Sequence, residues 1–123
     1  DEKLLNELAD TLNEKRQPEW VDIHNAKVIK YGNCLYLDCD LTIPWYYNIE
    51  QGHKLGSVLK ESLQEKYADR VQLTIHFDPC NIFDRVKCGQ CAMANCPYRK
   101  TEFKELEKIS LANFTQNENE NDK

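Results

Sequence analysis

Residues 74–80 read Thr-Ile-His-Phe-Asp-Pro-Cys. On a β-strand, side chains alternate between faces, so His76 and Asp78 project from one face while Leu73, Ile75 and Phe77 point the other way. An imidazole and a carboxylate side by side over an apolar underside suit a metal ion. The same pair also makes an ordinary solvated strand face. Cys80 follows, and then Cys88, Cys91 and Cys96, in the spacing Cys-x7-Cys-x2-Cys-x4-Cys. Those thiolates, with Cys80 as the fourth, would enclose Zn²⁺ tetrahedrally in a closed, structural site. An iron–sulfur cluster uses the same donors, and free or redox-paired thiols are the remaining reading.

The elements that must position these groups can be read from hydrophobic period. Leu4, Leu5, Leu8, Ala9 and Leu12 form one stripe at helical spacing, which predicts an amphipathic helix over 3–16. A short strand is expected over 26–31, and Gly32-Asn33 supplies a tight turn. From Cys34 to Ile43 the chain alternates, with Leu35, Leu37, Cys39, Leu41 and Ile43 on one face and Tyr36, Asp38, Asp40 and Thr42 on the other. Asn48 and Gln51 are spaced as a capping box for a second helix, whose buried stripe is Leu55, Val58, Leu59, Leu63 and Tyr67. Gly52 and Gly56 lie off that stripe; either something approaches closely there or the helix simply tolerates them. A third strand is expected over 71–78.

The predicted order is therefore α-β-β-α-β, then a Cys-rich loop, then a helix over 101–114. A polar tail over 115–123 is read as disordered. One sheet with helices on one face is an α+β sandwich. The β-α-β portion predicts parallel pairing of the second and third strands. Residues 1–80 form the candidate metal-binding unit and 81–114 its Cys-rich appendage.

A first ligand cluster then gathers His24, Asp38, His53, His76 and Asp78, which includes every histidine of the chain. Imidazole and carboxylate suit Zn²⁺, and also Mn²⁺, Fe²⁺ or Co²⁺. The second cluster is Cys80, Cys88, Cys91 and Cys96. Cys39 faces the core by alternation and Cys34 sits at the turn, so neither is chosen as a ligand. Trp20, Trp45, Tyr46 and Tyr47 form an aromatic patch that either lines an interface or caps the core.

Composition narrows the classes. The chain has 123 residues, 41% of them hydrophobic, and a net charge of −5. That predicts one globular domain with no nucleic-acid partner, whose phosphates call for a basic face. The close cysteine spacing and the absence of a signal peptide read as a reducing compartment. The chain opens at Asp1 with Met93 as its only methionine, and is read as a piece of something longer. No nucleophile–base constellation is visible, so no enzyme is predicted.

The segments His24-Asn25-Ala26-Lys27-Val28, Leu37-Asp38-Cys39-Asp40-Leu41, Gln51-Gly52-His53 and His76-Phe77-Asp78-Pro79-Cys80 occur in an order that resembles the cytoplasmic C-terminal domain of cation diffusion facilitators. The resemblance spans roughly 3–80. It implies a ferredoxin-like (metallochaperone-like) fold, a homodimer, and a place at the cytoplasmic face of a membrane, beneath a transmembrane portion that carries the transport site. It also implies a binuclear site: His24, Asp38 and His76 around one ion, and His53, His76 and Asp78 around a second. Members often carry His at the second-strand position; here it is Asp38, a harder ligand. The resemblance implies a regulatory domain of a divalent-cation exporter, with zinc the first candidate. The other readings are a stand-alone metal buffer or chaperone, and an iron–sulfur or redox protein.

Overall fold

A computed structural model describes residues 2–116. Helix α1 spans Glu2–Lys15, strand β1 Asp22–Tyr31, strand β2 Cys34–Ile43 and helix α2 Ile49–Tyr67. A single 3₁₀ turn leads into β3 (Val71–Pro79), and two short helices follow, α3 (Arg85–Gln90) and α4 (Leu111–Thr115). The sheet order is β1-β2-β3. β1 pairs antiparallel with β2, and β2 pairs parallel with β3, as the β-α-β pattern predicts.

The core forms where the periodic stripes meet. Leu8 and Leu12 of α1, and Leu55, Leu59 and Leu63 of α2, pack on Leu37, Cys39 and Leu41 of β2. Asn48 and Gln51 close the expected capping box, with Asn48 Oδ1 accepting from the Gln51 backbone at 2.8 Å. The two helical glycines are explained by the ends of β2 and β3. A Cβ on Gly56 would lie 2.9 Å from Phe77 Cζ, and one on Gly52 would lie 3.2 Å from Ile43 Cδ1. α2 therefore rides against the sheet at the end where His76 and Asp78 sit.

β1 begins earlier than expected, at Asp22, and is not regular. Its pairing with β2 shifts between His24 and Lys27, where two residues face one on β2, a β-bulge. Asn25 makes the bulge with φ 52°, a left-handed conformation that Asn tolerates better than most residues. Continued regularly from Lys27↔Asp38, the ladder would put His24 opposite Leu41, on the core face. The bulge restores His24 to the polar face, opposite Asp40.

The expected helix over 101–114 is corrected. Only Leu111–Thr115 is helical, and 101–110 runs as an irregular strap. Phe103, Leu106 and Ile109 imitate a helical stripe, yet tertiary partners take the backbone groups a helix would use. The Asn13 side chain donates to the Ile109 carbonyl at 2.6 Å and accepts from its N–H at 2.9 Å. Arg16 donates to the Glu107 carbonyl at 2.8 Å. Ile109 and Phe114 are buried in the main core, which thus extends well beyond residue 80. α3 sits inside what reads as plain loop, started by the Asp84 side chain accepting from the Lys87 N–H. Of the polar tail, Thr115 closes α4, and 117–123 lie outside the described residues.

Candidate metal centre

Each strand contributes one side chain to a compact trio on the outer face of the sheet. These are His24 from β1, Asp40 from β2 and Asp78 from β3, with one ligand atom from each lying within 4.8 Å of the others. His24 Nε2 is 3.7 Å from Asp40 Oδ2 and 3.9 Å from Asp78 Oδ2. Two ligand bonds of about 2.1 Å span at most about 4.2 Å, so the imidazole lies within one ion's reach of each carboxylate. His24 and Asp40 are buried, whereas the Asp78 side chain is half exposed. Burial, and then the neighbouring Asp40 carboxylate, raise the Asp78 carboxyl above its ordinary value, with His24 and His76 pulling it back. Two crowded carboxylates beside an imidazole are a donor set that a divalent cation relieves.

The surroundings hold the trio in place. Asn25 donates its side-chain amide to Asp40 Oδ2 at 3.3 Å. Asp22 faces the other imidazole nitrogen of His24, Nδ1, at 3.3 Å. Lys87 of α3 pairs in turn with Asp22 at 3.4 Å. A carboxylate on the far nitrogen of a ligating histidine fixes its ring and leaves the near nitrogen free to bind.

The expected set is distributed differently. His76 Nε2 pairs with Asp38 Oδ1 at 3.3 Å, both side chains more than half exposed, so the pair contributes little stability. Asp38 stands away from His24, and Asp40, which was not among the expected ligands, stands beside it. His53 is exposed at the start of α2, where it lines a second cavity with Gly52, Phe77 and Asp78. Asp78 borders both cavities. The signal for Asp40 was present in the strand pattern, since it shares the polar face with Asp38. Choosing between them requires the β-bulge, which no residue pattern announced.

The thiols gather around one cavity of about 210 Å³, lined by Cys80, Cys88, Cys91 and Cys96 together with Asp22, His24 and Asp78. Among the described residues, the His24 trio alone meets the 4.8 Å spacing, so the thiols share a cavity without converging on a point. All six cysteines are free. Cys80 Sγ accepts from the Trp45 N–H at 3.4 Å, and burial pushes its thiol up. Cys39, in the core, is pushed up to about 12 by burial and by Asp40 and Asp38, which leaves it inert as a ligand. The loop takes its shape from Arg99, whose guanidinium donates to the carbonyls of Cys88, Cys91, Met93 and Thr101 at 2.7–3.0 Å. The aromatic patch seats it: the Tyr98 ring packs at a tilt, 4.9 Å between centroids, against both Trp45 and Tyr46.

Residues 1–80 match the cytoplasmic domain of cation efflux proteins. The chain belongs to that family. The cation efflux domain has the same fold in solved structures. A structure on the mode of action of CzrB, a proposed zinc transporter, aligns at TM-score 0.57 and 22% identity, covering 64% of this chain and 95% of that one. Its zinc form aligns at TM-score 0.56 and 22% identity, covering 63% of this chain and 85% of that one. The metal-bound C-terminal domain of the CzcD transporter from Thermotoga maritima aligns at TM-score 0.53 and 17% identity, covering 63% of this chain and 87% of that one. At such identities the likeness speaks for the fold. A comparison with curated proteins gives no match. The cation efflux family is one of metal transport and not of catalysis. Among the described residues no helix is long and apolar enough to cross a membrane. The Cys-rich loop and strap lie beyond the matched residues.

Proposed function

We propose that this cation efflux domain is the metal-sensing, dimerising part of a divalent-cation exporter, zinc being the first candidate. The observation that carries this reading is the His24–Asp40–Asp78 trio, with one ligand from each strand. An ion held there ties the ends of β1, β2 and β3 together. A cation that binds better to the gathered trio than to a splayed one shifts the population toward the gathered state, and that shift is the signal. His53 and Asp78 share the adjoining cavity and would serve a second, weaker ion; the His76–Asp38 pair stands apart from that lining. The zinc and metal-bound forms of the similar CzrB and CzcD domains favour this ligand class. Cys80, Cys88, Cys91 and Cys96 offer a softer, thiolate site across the first cavity.

A homodimer, lying beneath the transmembrane portion of the transporter, completes the proposal. It is supported by the outer sheet face, which leaves Ile29, Tyr31 and Tyr36 exposed beyond the metal ligands. The test is Zn²⁺ titration by calorimetry with elemental analysis, on the wild type and on His24→Ala. Loss of the imidazole-dependent ion in the variant is expected; an unchanged isotherm would remove the trio as the site.

A further inference from the structure

We propose that the thiol loop and the His24 centre bind ions cooperatively, coupled through Lys87 and Asp22. This rests on the reading of the four thiols as an ion site. Both ligand sets line a single cavity. Cys80 lies two residues after Asp78 on the same strand end. Lys87, which lines the same cavity, immediately precedes Cys88 on α3. Its Nζ lies 3.4 Å from Asp22 Oδ2 and 3.8 Å from Glu107 Oε2. Asp22 Oδ2 lies 3.3 Å from His24 Nδ1. The path from a thiol to the imidazole is thus one residue of helix, one ion pair and one carboxylate–imidazole contact.

The sign of the coupling follows from what must move. The thiols do not converge on a point, so gathering them on one ion draws α3 and its cap residue Cys91 toward Cys80, with the thiol protons released to solvent. That fixes Lys87, and Lys87 fixes Asp22. Asp22 then holds the His24 ring with Nε2 turned to Asp40 and Asp78, an orientation otherwise imposed by the incoming ion at its own cost. An ion on the thiols therefore tightens binding at the trio, and by linkage an ion at the trio tightens binding on the thiols. Lys87 is a positioning residue in this scheme, since it touches no ion.

The difference in donor softness allows the two sites to be filled in turn. Cd²⁺ is added first, one equivalent, and its thiolate charge-transfer absorbance is followed. Mn²⁺, which prefers carboxylate and imidazole, is then titrated by electron paramagnetic resonance with and without Cd²⁺. Mn²⁺ is expected to bind roughly fivefold or more tightly to the Cd²⁺-loaded chain. Lys87→Met is expected to keep the thiolate absorbance and lose most of that gain, and Lys87→Arg to restore it. Absence of thiolate absorbance would overturn the thiol site itself. Thiolate absorbance with equal Mn²⁺ affinity in both states would overturn the coupling and leave the thiol site standing. An undiminished gain in Lys87→Met would overturn the route.

Discussion

Asn25 donates its side-chain amide to Asp40 Oδ2 at 3.3 Å from a backbone position with φ 52°. One residue therefore makes the bulge that turns His24 outward and also grips the carboxylate His24 then faces. Its backbone N–H is engaged as well, donating to the Gln116 carbonyl at 2.8 Å.

The two roles of Asn25 separate by substitution. Asn25→Gly keeps the left-handed backbone at no steric cost and loses only the amide; its stability is expected to change little while metal affinity falls. Asn25→Val must force a β-branched residue into that conformation and is expected to lose about 1–2 kcal/mol. Urea denaturation alongside metal titration reads both effects. Equal stability of the two variants would show that the bulge does not depend on this residue's φ.

The choice between the two strand carboxylates is equally direct. Asp40→Asn is expected to weaken the tighter ion by roughly tenfold or more, whereas Asp38→Asn leaves it close to wild type, because Asp38 stands with His76 and not with His24. Competition against a chelator of known affinity measures both. The reverse ranking would mean that the ligands regroup on binding.

The raised Asp78 carboxyl makes a prediction about pH. The folded chain holds that proton more tightly than the unfolded chain does, so this contribution favours the fold in acid and is lost as pH rises through the native value, above the ordinary 3.8. Asp78→Asn is accordingly expected to stabilise the metal-free chain at neutral pH, by roughly 0.2–1 kcal/mol for relief of neighbouring like charges. The gain should shrink in acid. Metal binding requires the ionised carboxylate, so ion affinity climbs with pH over the same range. Denaturation midpoints that respond identically to acid in both chains would contradict the assignment.

Beyond the family-matched residues, α4 joins the core. Phe114 is fully buried against it, and Phe114→Ala is expected to cost about 3–5 kcal/mol. A thermal or chemical melt measures this. A loss below about 1 kcal/mol would mean that α4 merely rests on the surface.

Most of the sheet and both long helices were legible because each carries an unbroken period. The stripes of α1 and α2 and the alternation of β2 leave little choice of face, and the Asn48–Gln51 box marks where α2 starts. The candidate trio was legible in part. His24 and Asp78 could be picked out by residue type, but Asp40 could not be preferred over Asp38, because register past a bulge depends on one φ angle that composition does not encode. The 101–110 strap misled for the opposite reason. Its apolar spacing suits a helix, and hydrogen bonds from Asn13 and Arg16, more than 90 positions away in sequence, decided otherwise.

The grip of Arg99 on four loop carbonyls bears on what an ion among the thiols would be for. In a zinc finger the metal is the scaffold, and chelation unfolds the domain. Here a guanidinium that stays charged at any physiological pH already fastens the loop. A chelator would then empty this loop without collapsing it. Freed from holding the chain together, an ion there is available to come and go, which is the condition for carrying information about its own concentration.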